Sequence, residues 1–430
     1  MIYPDKNWLQ YSSPEDAGWS SEKLSKAYNY YKKIGTDALL VIYKGAVLLS
    51  WGEIERRFLC HSVRKSLLSA LVGIYQNKGK IDLNETLDSL GIDDIPPLSK
   101  MEKKARVMDL LKSRSGVYHT AQYEGEVTKP KRDSVKPGSR YFYNNWDFNT
   151  LNTIFEQQTG ERFFTAFRKK IASPLQMEEF RLTDGYYYLE EGFSIHSAYP
   201  LRMSARDLAR FGLLYLNNGK WKNKQVIPEN WIKRSTKAYS FDNDVNEGFG
   251  FMWFISNDFS GKGKMFSSLG NGGQCISILP GEDLIFIHRV NTFEWKKVSN
   301  KERLTLFGKI LDAKISTGKQ NDSLQGLKTY NSVSTITVLA KKILNKHDKL
   351  VNTYTSKEGT WKIQKHGNNL LMTNFFGDKY KMLSIKEHEF ILEDSNRKVS
   401  VKKDNTGQVN KIIVYYYPKG KSILYPSKTK

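Results

Sequence analysis

The sequence predicts an α+β domain followed by a small antiparallel β domain, and three observations carry that prediction. Runs rich in Val, Leu and Ile lie near residues 37–52 and again near 249–290, with helical patterns between them, so distant parts of the chain complete one sheet. From about 316 the chain turns polar and Gly-containing, "STGKQNDSLQG", which reads as a linker. Beyond it, alternating strands are separated by Gly, Asn and Asp turns. The 430 residues also exceed the roughly 250–300 at which one hydrophobic core stops growing. The expected domains are 1–318 and 319–430, with the linker at about 316–327.

Taken in order, "DALLVIYKGAVLLSWG" (37–52) reads as a hairpin turning on Lys-Gly. "HSVRKSLLSALVGIYQ", from His61, is a nearly unbroken apolar helix. Helical patterns follow at 105–113, at 146–158 closed by Thr-Gly, and at 204–216 closed by Asn-Asn-Gly. "FGFMWFIS", "QCISILPG" and "LIFIHRV" return to strand character. In the second domain "TWKIQKHGNNLLMTNF", "YKMLSIKEHEFILED" and "KVSVKKDNTGQVNKIIVYYY" alternate as strands do. No fixed-period repeat or low-complexity tract is visible.

Composition excludes several classes. Cys60 and Cys275 are the only cysteines, too few for a disulfide framework or a cysteine-rich metal site, and the seven histidines show no zinc-like spacing. No structural metal is expected. The N-terminal "MIYPDKNWLQYSSPEDAG" has no apolar signal core, and no run of about 18 apolar residues occurs anywhere. The expectation is an extracytoplasmic protein whose signal was removed before residue 1, or a cytoplasmic one if the chain is complete as written. Lys and Arg outnumber Asp and Glu 67 to 45, a net charge of +22, and residues 321–430 hold 20 against 9, or +11. Such a field favours anionic partners. The tail's excess reads as a polyanion-facing surface or as a solvated face. No recognition helix, RNP-type motif or zinc finger supports specific nucleic-acid binding.

The helix opening at His61 carries the chemistry. Ser62 before an apolar run is an ordinary N-cap, and Glu or Gln would then stand three places on. Instead Lys65 stands there, where the positive end of the helix dipole disfavours it by a few tenths to about 1 kcal/mol. Residues at i and i+3 share a helix face, so the amine can reach the hydroxyl. In a buried position the ammonium is disfavoured, and a neutral amine can take the serine's proton. Ser-x-x-Lys also begins at Ser20, Ser316, Ser395, Ser400 and Ser427, none of which opens an apolar helix. The alternative is an N-cap Ser62 with a solvent-exposed Lys65.

Tyr143-Asn144-Asn145 lies in a turn-like stretch before a helix, and "FSSLGNGGQCISILPG" is a Gly-rich strand entrance. A second Tyr-x-Asn, at Tyr215, falls inside a helical pattern. The order Ser-x-x-Lys, Tyr-x-Asn, Gly-rich strand resembles the serine β-lactamase and penicillin-recognising family, in its class C-like branch of esterases, D-aminopeptidases and 6-aminohexanoate-dimer hydrolases. The likeness spans roughly residues 10–315 and includes "VMDLLKSRSGVYH" and "SARDLARFGLLYLNNGKW".

The resemblance implies a β-lactamase-like antiparallel sheet flanked by helices, an all-helical region, and a lipocalin-like C-terminal domain. It implies Ser62 as acylated nucleophile, Lys65 and Tyr143 sharing the acid–base work, and Asn145 holding substrate or Lys65. A phenol beside an ammonium is expected to have its pKa lowered, which suits Tyr143 as a relay. The family's edge-strand motif, Lys-Thr-Gly or His-x-Gly, aligns with Ser268-Leu269-Gly270. That departure weakens the case for β-lactams and D-Ala-D-Ala ends, because Lys and Thr there help hold a substrate carboxylate. Gly270 would let backbone approach the acyl group, and the N–H groups of Ser62 and Asn271 would form the oxyanion hole. Tyr123 and His196 lie in stretches that wall the pocket in related hydrolases. Cys60 and Cys275 would flank the same cleft, as free buried thiols or as a disulfide. The resulting reading is a serine hydrolase acting on a small ester, amide or short peptide, with no cofactor. A non-catalytic cell-wall or ligand-binding protein on the same fold, and a true β-lactamase or D-Ala-D-Ala peptidase, are the alternatives.

Overall fold

The computed structural model describes residues 2–5, 7–242, 247–292, 296–316, 324–327 and 350–427, the last apart from 358, 367–368, 375–378, 387, 393–396 and 417–419. The chain divides into two compact units, Met1–Val290 with Lys297–Lys328, and Asn291–Lys296 with Thr329–Lys430.

The first unit begins with β1 (Leu9–Tyr11) and α1 (Ser21–Lys33), capped by the Ser20 hydroxyl accepting from the Lys23 amide. The hairpin follows as β2 (Ala38–Tyr43) and β3 (Ala46–Gly52). Its two turn residues, Lys44 and Gly45, have φ of +50° and +88°. Two left-handed residues match the twist of the flanking strands, and glycine carries the second without strain. β4 (Phe58–Leu59) leads into α2 (Val63–Gln76), followed by α3 (Val107–Leu111), α4 (Asn145–Thr159) and α5 (Phe163–Phe167). β5 (Arg202–Met203) pairs with β4 and feeds α6 (Ala205–Leu216). A ribbon of β6 (Lys220–Trp221) and β7 (Lys224–Gln225) precedes α7 (Glu229–Ser235). The closing strands are β8 (Ser240–Asp242), β9 (Glu247–Phe249), β10 (Phe254–Ser256), β11 (Met265–Gly270), β12 (Gln274–Leu279) and β13 (Leu284–Arg289). α8 (Asn300–Leu311) and β14 (Leu324–Gly326) complete the unit.

Among the described residues ten strands form one sheet in the order β14-β1-β3-β2-β13-β12-β11-β10-β9-β8, antiparallel throughout except where β1 meets β3. Both faces are covered, so β2 is buried along its whole length. Leu39, Val41 and Tyr43 share a core with Leu24 and Ala27 of α1 and with Leu306 and Phe307 of α8. Ala38, Leu40 and Ile42 share the other with α2 and α6. Every residue of Val63–Tyr75 is buried, as befits a helix enclosed on all sides, here by α4, α5, α7 and the sheet. No helix among the described residues is long and apolar enough to cross a membrane.

Three local readings change. The apolar run 249–256 is not one strand: β9 and β10 are joined by a tight turn in which Gly250 N–H donates to the Trp253 carbonyl and Met252 has φ +63°. The helix read at 105–113 keeps only Val107–Leu111, ending where Ser113 turns left-handed at φ +55°. Within the stretch read as linker, β14 pairs with β1, Leu9 opposite Gly326.

Among the described residues of the second unit eight strands close into an antiparallel barrel: β15 (Asn352–Thr355), β16 (Thr360–His366), β17 (Asn369–Thr373), β18 (Lys379–Lys386), β19 (Glu389–Leu392), β20 (Arg397–Lys403), β21 (Val409–Tyr416) and β22 (Gly420–Pro426). Alternate residues fill it, Trp361 and Ile363 on β16, Val399 and Val401 on β20, Ile412 and Val414 on β21.

Candidate active site

The site is built where β4 hands over to α2. His61 adopts φ +48°, a left-handed conformation that costs a non-glycine residue energy and turns the chain sharply into the helix. Ser62 opens that helix, yet its hydroxyl makes no capping bond. It lies 2.9 Å from Lys65 Nζ. Lys65 is only 2% exposed, which rules out the alternative of a solvated lysine. The same amine is 2.5 Å from Tyr143 Oη and 2.5 Å from Asn145 Oδ1, and sits 4.5 Å from the Phe148 ring centroid. Ser62, Lys65, Tyr143 and Asn145 are thus one cluster.

Burial, reinforced by the neighbouring Arg64 guanidinium, pushes the Lys65 amine well below its usual range, while Glu124 pulls the other way. A neutral amine has two N–H donors and one lone pair. The Asn145 carbonyl can only accept, so it takes one N–H, and the lone pair is left to accept from the Ser62 or Tyr143 hydroxyl. Tyr143 departs from expectation: burial raises its pKa, outweighing the Ser62 hydrogen bond and Arg64, which lower it. The physical reason is that a phenolate enclosed here would lose its hydration, and that cost exceeds what the neighbouring donor and cation return. Burial thus disfavours the charged form of both Lys65 and Tyr143.

Residues remote in sequence hold this cluster. Ser113, at the left-handed end of α3, donates through its hydroxyl to the Phe142 carbonyl (2.7 Å) and accepts from the Asn144 amide (2.9 Å). Asn144 Nδ2 donates to Val117 O (2.6 Å) and Asp147 Oδ1 (2.7 Å), and the Ser115 hydroxyl donates to the same carboxyl oxygen at 2.5 Å. Burial pushes Asp147 up to about 8 despite those bonds. Tyr143 is clamped between these residues and α4.

On the sheet side, a Cβ on Gly270 would lie 2.5 Å from the Cys60 carbonyl oxygen and 3.3 Å from His61 Cβ. Only glycine lets the end of β11 run against the turn that presents Ser62. Asn271 follows directly, in a turn secured by His288, whose Nδ1 is 2.6 Å from Gly273 O and whose Nε2 is 2.8 Å from Thr36 Oγ1. Burial lowers the His288 pKa to about 3, so the neutral ring donates from Nδ1 to Gly273 and accepts at Nε2 from Thr36.

The other predicted residues separate. Ser268 is 1% exposed, with its hydroxyl 2.7 Å from Ser66 Oγ and donating to Val63 O; it ties β11 to α2 and does not face the cluster. Tyr123 Oη is 3.0 Å from His61 Nδ1, beside the turn. His196 is buried elsewhere, against Thr153 Oγ1 (3.0 Å) and the Trp146 ring. Cys60 and Cys275 are free buried thiols, held near Arg289 and Arg303 respectively. Ser62, Lys65, Ser66 and Tyr143 line a tight crevice closed by Phe249, Met252, Phe254 and Leu269. A wider depression of about 440 Å³ lies beyond Leu269 and Gly270, bordered by Asn271, Lys297 and Asn300.

Sequence reasoning missed Arg64, Ser113, Asp147, His288 and the Phe249–Phe254 wall. Of these, Arg64 stood within Ser-x-x-Lys and Ser113 within the quoted stretch 107–119, neither with a role attached.

Comparison with known proteins agrees with this architecture. The Beta-lactamase family model matches residues 26–308. Among solved structures, a candidate 6-aminohexanoate-dimer hydrolase from Bacillus anthracis superposes with a TM-score of 0.52 at 19% identity, covering 71% of this chain and 90% of its own. An octameric penicillin-binding protein homologue from Pyrococcus abyssi gives 0.52 at 16%, covering 94% and 99%. A class C beta-lactamase gives 0.51 at 16%, covering 68% and 96%. An uncharacterized protein of Alkalihalophilus pseudofirmus is 30% identical over 103 residues, 21% of this chain, and the chain spans about 30% of that relative's length. With the family model covering well over half of its residues, the chain belongs to the Beta-lactamase family.

Proposed function

We propose that the protein is a serine hydrolase that cleaves an ester or amide through a Ser62 acyl-enzyme. One observation carries the reading: a buried amine bonded at once to Ser62, Tyr143 and Asn145. In the first half-reaction the Ser62 proton passes to Lys65 as Oγ bonds to the substrate carbonyl carbon. The oxyanion is held by the Ser62 and Asn271 N–H groups. The bond to the leaving group then breaks, and that group takes the proton from Lys65 through Tyr143. In the second half-reaction water loses a proton to the same pair as its oxygen bonds to the acyl carbon; the acyl–Oγ bond then breaks, the free acid leaves, and Ser62 Oγ takes that proton back. Hydrolysis by structural neighbours bearing hydrolase names is in keeping with this chemistry.

The narrow apolar wall of Phe249, Met252, Phe254 and Leu269 favours a short uncharged acyl group. Ser268 is turned away, so that position offers no donor for a substrate carboxylate. Short p-nitrophenyl esters are therefore expected to exceed nitrocefin in kcat/KM by about one to two decades, the worth of a lost charge-assisted bond. Nitrocefin equalling the best ester would restore the β-lactamase reading. Gly270→Ala is expected to lower ester kcat/KM by about 10², since displacement of roughly 1 Å at a reacting centre costs that much; wild-type rates in that variant would remove β11 from the site.

Every proposed catalytic residue lies in the first unit, which has its own cores. A chain ending after Lys328, keeping β14, is expected to retain ester hydrolysis within about threefold. The polyanion contact of the basic tail is likewise a proposal, checked by heparin affinity of full and shortened chains across salt concentration.

A further inference from the structure

Arg64 lies between the two proposed reacting residues in sequence and is only 1% exposed. Its Nη1 donates to the His61 carbonyl at 3.0 Å. The guanidinium carbon sits 5.3 Å from the Tyr123 ring centroid and 5.1 Å from that of Tyr199, within cation–π range of both. Nε and Nη2 have no hydrogen-bond partner among the described residues. A buried cation without a counterion is costly and is rarely kept for stability, because an apolar residue of similar shape is usually as good or better. What this one touches is the left-handed residue that presents Ser62, and the ring that bonds His61 Nδ1.

We infer that Arg64 is a positioning residue, a buried cation that pins the His61 turn presenting Ser62 and sets a fixed positive charge one residue from Lys65. The inference rests on the reading of Ser62 and Lys65 as the reacting pair. The groups that bond Lys65 are Ser62, Tyr143 and Asn145; Arg64, the preceding residue, and Glu124, whose carboxylate is already 2.8 Å from Lys129 Nζ, act on it through their charge. His61, with its pKa near 3 from burial, adds no charge. Arg64 is thus the nearby positive charge that opposes protonation of Lys65, and it pulls Tyr143 in the same useful sense.

The two parts of the role separate by substitution. Arg64→Gln can still donate to His61 O but carries no charge, while Arg64→Lys keeps the charge and loses the planar fork. With a short p-nitrophenyl ester as probe, the acid limb of the kcat/KM–pH profile is expected to move up by about one pH unit in Arg64→Gln, giving roughly tenfold less activity on that limb and a near-normal plateau above it. Arg64→Lys should restore the wild-type limb even if its plateau is lower. A purely structural Arg64 would lower the plateau and leave the limb where it was, and that result in Arg64→Gln overturns the inference. So does a limb displaced equally in both variants. If Arg64→Gln does not fold, Arg64→Met, which keeps most of the side-chain length without the charge, takes its place, and an unmoved acid limb there overturns the inference. Fluorophosphonate labelling of wild-type Ser62 distinguishes the two levels of failure: no labelling brings down the hydrolase reading and this inference with it, whereas labelling with an unmoved limb brings down the inference alone.

Discussion

Replacing Ser62 with alanine is expected to abolish turnover of every ester and amide the protein cleaves, a loss of about 10⁴ or more, together with covalent labelling by a fluorophosphonate. The expectation follows from geometry. The hydroxyl is not spent on capping α2, lies 2.9 Å from the amine, and opens the crevice closed by Phe249 and Leu269. Ser66, the other hydroxyl on that wall, is occupied by Ser268 and the Met252 carbonyl, each at 2.7 Å, so it cannot substitute. Folding of the variant is readily checked by circular dichroism, since removing one hydroxyl leaves the Lys65–Asn145 bond intact.

Lys65→Met and Tyr143→Phe should each lower kcat by about 10² to 10⁴, the scale of a lost acid–base group, with KM changing little. Lys65→Met carries a second signature. The folded-state pKa of Lys65 is depressed, so between that value and the unfolded value of about 10.4 the unfolded chain binds a proton that the folded chain does not. Stability contributed at this position therefore rises with pH across that window, by up to about 1.4 kcal/mol per pH unit. Denaturant titrations of wild type and Lys65→Met should converge or cross in that direction as pH rises. A difference that is flat in pH would mean that Lys65 is an ammonium in the folded protein, and the proton-acceptor role would fail with it.

Much of the site could be read in sequence because its residues break local rules. A lysine in the first turn of an apolar helix contradicts the dipole, and its burial by Tyr143 and Asn145 is the resolution. The β2–β3 hairpin was legible because Lys-Gly supplies the two left-handed residues such a loop needs. What stayed hidden depends on tertiary placement. Ser113 and Asp147 secure Tyr143 across some thirty residues of chain, and no periodicity marks them. His288 looks like any residue of an apolar strand until the fold sets it under Gly273. The turn between β9 and β10 is disguised by apolar side chains, Met252 lining the crevice while Phe251 and Trp253 pack into the core, so hydrophobicity mimics a single strand. His196 was drawn toward the pocket by position, whereas the structure packs it against Trp146 and Thr153. β14 escaped notice because an edge strand held by backbone bonds needs no alternating pattern.

The central claim is a covalent intermediate on Ser62, and the most direct measurement is mass spectrometry of the intact protein quenched during turnover of a short p-nitrophenyl ester, followed by peptide mapping. A mass increase equal to the acyl group is expected, confined to the peptide carrying Ser62 and absent from Ser62→Ala. Turnover that proceeds with no adduct at Ser62, or with the acyl group on another residue, would contradict it.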